Sequence, residues 1–166
     1  MLDKKNNRTV LTETGSLKAA SKPSKSSYIM EDQAGFLMRL ASQRHASIFM
    51  SKMIGGLTTT QFAALAKLHS IDKCSQNELG RLTSMDAPTI KGVVDRLSSR
   101  GLVEIVVDPR DKRRRSISLS SQGRKLIEKA FPVAAQITKT TLNPIPLKDQ
   151  DKFLKMLKAV GRNEPK

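Results

Sequence analysis

A mainly α-helical fold with one small β element is what this chain of 166 residues predicts, on three observations. Apolar residues recur at helical spacing in successive segments from about residue 31 to 160. Several of those segments open on capping signatures. A single stretch, 102–119, carries two β-prone runs joined by a Pro-containing turn. Within 75–120 the order is short helix, turn, second helix, basic hairpin, which describes a winged helix-turn-helix. Helices on both sides frame it. The divisions are an N-terminal arm (1–27), a helical region formed by 28–56 and 121–166, and the winged unit (57–120).

Residues 1–27 are rich in Lys, Ser, Thr and Asn without periodicity, and read as a disordered basic arm. It is either a phosphate-contacting tail or a solvated leader. Order begins near Tyr28, and a helix is predicted from Glu31 to about Met53. Phe36, Leu37, Leu40, Ala41 and Ile48 share one side of it. At about 100° per residue, Arg44 projects from the middle of that apolar face. A guanidinium there needs a partner. Either a carboxylate ligand supplies it, or Glu31, Asp32 or acidic residues of the last helices do so across a dimer. His45 and Arg39 stand beside it as further polar contacts, with Phe36 and Leu40 as apolar neighbours. Gly35 inside a helix costs about 1 kcal/mol relative to Ala, and marks close approach of a helix or a ligand. Gly55-Gly56 ends the helix.

Thr58-Thr-Thr-Gln61 is a capping box for a helix running to about Ser70, with Phe62, Leu65, Ala66 and His69 inward. His69 reads as an ordinary core or surface histidine. Residues 71–74 read as a turn, leaving Cys74 alone in a loop. Ser75-Gln-Asn-Glu78 is a second capping box, and its short helix turns Leu79 and Leu82 inward. After Thr83-Ser-Met85, the Asp86-Ala-Pro88 run starts the next helix with an acidic cap and a proline in its first turn. Ile90, Val93, Val94 and Leu97 form its buried stripe, and Gly101 closes it.

The opposite face of that helix presents Ala87, Pro88, Thr89, Lys91, Gly92 and Arg96. Small residues at its start admit it to a major groove, where Thr89 can meet a base edge. Lys91 and Arg96 suit phosphates, as do Ser75 and Gln76 at the start of the preceding helix. The hairpin tip carries Arg110, Lys112, Arg113, Arg114 and Arg115, more charge than solubility or edge protection requires. A narrow, negative minor groove attracts a lone guanidinium, and Asp111 is suited to orient a neighbouring arginine such as Arg113. Thirty Lys and Arg against fifteen Asp and Glu give a net charge of +15, which calls for a polyanionic partner. No Trp and one Tyr argue against a single-strand binder that stacks bases on aromatic rings, and for double-stranded DNA.

After the hairpin, Ser120 or Ser121 caps a long helix with apolar positions Leu126, Ile127, Ala130, Phe131, Ala134 and Ile137, and a kink is expected at Pro132. Asn143-Pro-Ile-Pro146 stops it. A last helix over 148–160 places Phe153, Leu154, Leu157 and Val160 on one face. These outer helices have more apolar face than a winged domain of some 65 residues can cover, so a second copy of the chain is the expected partner. A symmetric dimer sets two recognition helices about 34 Å apart on one face of DNA.

One cysteine excludes a disulfide within the chain and a Cys-based metal cluster. No apolar run approaches the roughly 18 residues of a membrane span, no signal peptide is evident, and a cytoplasmic location is expected. No phosphate-binding Gly loop, metal-ligand set or nucleophile–base spacing points to an enzyme, and no cofactor is expected.

The residues resemble the MarR family of bacterial transcriptional regulators over roughly Gln33 to Val160. Leu57-Thr-x-x-Gln61-Phe62, Asn77-Glu-Leu79, Thr89-x-x-Gly-Val-Val-Asp-Arg-Leu97, Arg100-Gly-Leu-Val103, Asp108-x-Arg-Asp-x-Arg113 and Ser121-Gln-Gly-Arg124 carry the resemblance. It implies a homodimeric repressor on a near-palindromic operator, released when a small aromatic acid binds between dimerisation and DNA-binding helices. It also assigns Arg110 to the minor groove. Residues 31–45 resemble regulators answering to hydroxycinnamates, or their CoA thioesters, and to hydroxynicotinate. Peroxide-sensing members place a cysteine on the first helix, where this chain has none. The competing reading is an architectural DNA-binding protein, without sequence choice or effector.

Overall fold

The computed structural model describes residues 28–107 and 115–161. A short 3-10 turn (Met30–Asp32) leads into α1 (Ala34–Lys52), and a second turn (Ile54–Gly56) leads into α2 (Thr59–Ile71). Then come β1 (Lys73–Ser75), α3 (Gln76–Leu82), α4 (Ala87–Ser99), β2 (Val103–Val107), β3 (Arg115–Leu119), α5 (Ser121–Leu142) and α6 (Leu147–Val160). The fold is mainly helical with a small antiparallel sheet, a winged helix-turn-helix held between outer helices.

Side chains written into the sequence set most helix starts. Thr58 and Gln61 form the full reciprocal box on α2. Ser75 Oγ accepts from the Glu78 N–H at 3.2 Å, which is one half of the predicted box. Asp86 Oδ1 accepts from the Thr89 N–H at 2.8 Å, and Ser120 Oγ from the Gly123 N–H at 3.0 Å. Each satisfies an N–H that the first helical turn cannot.

The core gathers Leu65 and Leu68 of α2, Leu79 of α3, the stripe Ile90, Val93, Val94 and Leu97 of α4, Ile117 of β3 and Ile127 of α5. Phe49 at the end of α1 joins it. Gly123 lets α5 begin directly on the strand entry, since a Cβ there would overlap the Leu102 carbonyl. Gly101 closes α4 in the left-handed region, with φ of 67°.

Several expectations are corrected. Residues 73–75 are not a turn but a strand, and the sheet is three-stranded in the order β1-β3-β2. Cys74 therefore pairs with Ile117 and is buried, rather than standing alone in a loop. Leu82 is 44% exposed. Its expected inward place belongs to Gly80, whose Cβ position lies 3.0 Å from the Met85 carbonyl and 3.2 Å from Ile90 Cγ2. The turn passes too close for a side chain, so the buried edge of α3 is Leu79–Gly80. On α2 the buried positions are Gln61, Ala64, Leu65 and Leu68, while Phe62, Ala66 and His69 are half-buried. α5 runs through Pro132 as one helix. The arm and the hairpin tip with Arg110, Lys112, Arg113 and Arg114 lie outside the described residues.

α6 and the first part of α1 bury little of what they were expected to bury. Phe153 is 38% exposed, Leu157 47%, Leu37 50% and Leu40 43%. Among the described residues of one chain, nothing covers these faces.

Candidate nucleic-acid interface and ligand cavity

The α3–α4 turn is tight because backbone and side chain close it together. Met85 N–H donates to the Gly80 carbonyl at 2.9 Å, and Thr83 Oγ1 donates to the Leu79 carbonyl at 2.6 Å. This holds α4 with its stripe inward and Ala87, Pro88, Thr89, Lys91 and Arg96 exposed. Thr89 is already engaged: its N–H donates to Asp86 Oδ1 at 2.8 Å, and hydrogen bonding from Thr89 holds that carboxyl below the usual carboxylate range. Lys91 Nζ donates to Asp95 Oδ2 at 2.7 Å, one helical turn on. The Arg96 guanidinium folds back over half-buried Gly92, 3.2 Å from where a Cβ would be. Gly92 thus seats Arg96 as well as keeping the helix slim.

Between α4, the start of α3 and the sheet runs a trough of about 870 Å³. Ser75 and Gln76 line it, as does Lys91. So do Arg115, already marked among the hairpin cations, and Lys73, Asn77 and Ser116, which the sequence did not mark as nucleic-acid contacts. Lys73 was hidden because its strand read as a turn. Pairing of β1 with β3 sets Lys73 opposite Ser118 and carries Ser75 beside Ser116. A trough with cations at its rim and hydroxyl and amide groups along its wall can hold a polyanionic backbone.

The second feature is a half-open cavity of about 560 Å³ between α1, α5 and α6. Its walls are apolar, with Met38, Leu142, Ile145, Phe153, Leu154 and Leu157, and its polar lip includes Arg44 and His45. Arg44 does find a partner, and that partner is the end of a helix. Its guanidinium donates to the carbonyls of Thr141 at 2.7 Å and Thr140 at 3.5 Å. Carbonyls in the last turn of α5 have no acceptor role within the helix, and a cation complements the negative end of its dipole. Gln150 Nε2 donates to the carbonyl of Leu142, the last residue of α5, at 3.2 Å and to that of Ile145 in the following connection at 3.0 Å.

His45 Nδ1 lies 3.0 Å from Thr141 Oγ1. The Thr141 hydroxyl spends its proton on the Ile137 carbonyl at 2.9 Å, so Nδ1 carries the hydrogen in the His45 contact. Nε2 is left to accept an O–H, or when protonated to face an anion. Arg44 and His45 are thus brought together on one lip. Phe36, Arg39, Gly35 and Leu40 are not among the cavity's lining residues. Arg39 lies over the Phe36 ring at 5.1 Å, and among the described residues none comes within 4 Å of a Cβ placed on Gly35.

From His45 a line of rings runs through buried Phe49 and out to the surface again: Phe49 at 6.1 Å, then Phe62 at 5.8 Å, exposed Phe131 at 6.3 Å and His69 at 5.2 Å. It joins the cavity lip to α2 and α5. No single segment contains it, so its signal was absent from local periodicity. His69 also faces Glu128 at 3.5 Å. Burial, reinforced by the Glu78 carboxylate, pushes the Cys74 thiol up from its ordinary range. Among the described residues, no helix is long and apolar enough to cross a membrane, and no three His, Cys, Asp or Glu side chains are grouped to hold a metal.

A family model described as MarR family matches residues 55–114. The HTH-type transcriptional repressor NicR of Pseudomonas putida is 34% identical over 134 residues, covering 80% of this chain and 85% of NicR. A probable transcriptional regulator from Pseudomonas aeruginosa has a solved structure that is 45% identical, with a TM-score of 0.76 over 80% of this chain and 99% of that one. BpsR of Bordetella bronchiseptica, whose DNA binding is regulated by 6-hydroxynicotinic acid, is 32% identical, with a TM-score of 0.77 over 82% and 99%.

Proposed function

This chain belongs to the MarR family of transcriptional regulators, and from that premise we propose that it is a homodimeric repressor released from its operator by a small aromatic acid. A second copy covers the apolar faces of α1 and α6. Recognition helix α4 enters the major groove through Ala87, Pro88 and Thr89. Arg96, Lys91, Ser75, Gln76 and the trough residues Lys73 and Arg115 hold the flanking phosphates, and Arg110 of the wing enters the minor groove, with Lys112, Arg113 and Arg114 on the backbone beside it.

The observation that carries the effector reading is the pairing of Arg44 with His45 on the lip of an apolar cavity. A carboxylate offers Arg44 a charge-assisted, two-pronged partner in place of two helix carbonyls, and the stronger bond wins. The aromatic ring takes the apolar wall, and a ring hydroxyl reaches His45. Drawing Arg44 away from Thr140 and Thr141 loosens the α1–α5 join. The acid therefore prefers a dimer geometry other than the one that fits DNA, and such a preference is what any effector needs to shift the population. The likeness to BpsR favours a hydroxynicotinate-type acid over a hydroxycinnamate or its CoA thioester.

Thermal shift tests the effector class directly. A ligand at a hundred times its Kd adds about 2.7 kcal/mol to the native state. 6-Hydroxynicotinic acid is expected to raise Tm, 2-hydroxypyridine, which lacks the carboxylate, to leave it unchanged, and 4-hydroxycinnamic acid and its CoA thioester to act weakly. A response to 2-hydroxypyridine equal to that of the acid would remove Arg44 from the reading.

A further inference from the structure

Arg100 caps the C-terminal end of the recognition helix and points away from the DNA trough, into the turn between α1 and α2. Its Nη2 donates to the Gly55 carbonyl, and its Nη1 to the Gly56 carbonyl at 3.5 Å and to Gln61 Oε1 at 3.3 Å. One planar fork thus gathers three acceptors from a segment some forty residues earlier.

Each acceptor is itself fixed. Gly55 and Gly56 have φ of 65° and 59°, a left-handed pair that turns both carbonyls out of the helical direction. Leu126 of α5 fills the space a Gly55 side chain would need. Gln61, the one buried polar residue of the described core, uses the same Oε1 to accept the Thr58 N–H at 3.1 Å. Arg100 therefore ties the end of α4 to the end of α1, the start of α2 and, through Gly55, the flank of α5.

We infer that Arg100 is the positioning residue that sets the recognition helix against the dimerisation helix α1, and so sets the spacing of the two recognition helices in the dimer. The inference rests on the dimeric reading above. A rotation of α1 carries the Gly55 and Gly56 carbonyls with it, and the guanidinium transmits that movement to the end of α4. The tie is polar and lies near the surface. Removing it leaves two carbonyls that water can reach and a Gln61 still bonded to Thr58, so the fold persists.

The test compares wild type, Arg100→Met and Arg100→Lys on two duplexes. One is the palindrome recovered by the wild-type protein from a randomised library; the other is the same duplex with one half scrambled. Two linked contacts gain avidity only when geometry lets both engage. Arg100→Met is expected to lose on the order of tenfold or more on the palindrome, to hold the half-scrambled duplex within about twofold, and to keep the salt slope unchanged because no phosphate contact is lost. Arg100→Lys, a single-pronged cation, recovers part of the loss. Equal losses on both duplexes, or a slope reduced by about one, would make Arg100 a stabilising or phosphate-contacting residue and overturn the inference. So would an unchanged palindrome affinity. Wild-type protein that fails to distinguish the duplexes would overturn the dimeric reading, and this one with it.

Discussion

Arg44 on α1 and Thr141 at the end of α5 are joined by a 2.7 Å hydrogen bond from guanidinium to backbone carbonyl, ninety-seven residues apart in the chain. The bond places a cation at the lip of an apolar cavity and satisfies it with dipoles instead of a charge. In the proposed function an incoming carboxylate competes for it on favourable terms.

Arg44→Ala is expected to weaken binding of 6-hydroxynicotinic acid by about tenfold or more, the worth of a hydrogen bond to a charged group, and to lower DNA affinity by less, since it also removes the bonds that join α1 to the end of α5. Calorimetric titration of the acid, with DNA binding measured alongside, checks both halves. Sedimentation as a monomer would instead assign Arg44 to the dimer interface.

At the start of α4, the depressed carboxyl of Asp86 makes stability depend on pH in a definite direction. Its folded pKa lies below its unfolded one, so its contribution is complete above the unfolded value and is lost as pH falls through the folded value. Asp86→Asn keeps a capping oxygen and cannot titrate. Melting curves are expected to run nearly parallel for the two proteins from pH 7 down to about 5 and to converge or cross below about 4, where wild type loses its carboxylate. Parallel curves throughout would mean that the Thr89 bonds do not favour the ionised form.

Gly123 admits no side chain, because a Cβ would overlap the Leu102 carbonyl where α5 meets the strand entry. Backbone sits on the other side, so nothing flexible can yield. Gly123→Ala is expected to destabilise by about 3 kcal/mol, the upper part of the range for overpacking. Denaturant titration at fixed protein concentration measures it, and a loss under about 1 kcal/mol would show that the two backbones can part.

Arg110 lies outside the described residues, and its assignment rests on sequence. Arg110→Ala is expected to weaken operator binding and lower the salt slope by about one, with the dimer intact. Unchanged affinity would discredit a minor-groove role for the wing.

Helix starts were legible because one side chain signals each of them: Thr58, Ser75, Asp86 and Ser120 all cap as their spacing implied. The α4 stripe was legible for the same local reason. β1 was not, since three residues carry no period and gain strand character only by pairing with β3. Lys73 and Asn77 dropped out of the expected interface with it. Leu82 was misplaced because periodicity cannot see that the turn crosses at Gly80. Arg44 was singled out as a cation on an apolar helix face, yet the partner it finds was unreadable: a helix end ninety-six and ninety-seven residues on has no side-chain signature. Arg100 stood in a motif without a role for the same reason, its three acceptors lying in the α1–α2 turn and at Gln61.

The central claim, sequence-specific binding under effector control, is tested most directly by fluorescence anisotropy at one salt concentration. Labelled palindrome and a scrambled duplex of equal length are titrated with the protein, with and without 6-hydroxynicotinic acid. Binding to the palindrome is expected to be at least about a thousandfold tighter than to the scrambled duplex, with release of the palindrome by the acid. Equal affinity for the two duplexes, unaltered by the acid, would contradict it and leave a basic protein that binds DNA by charge alone.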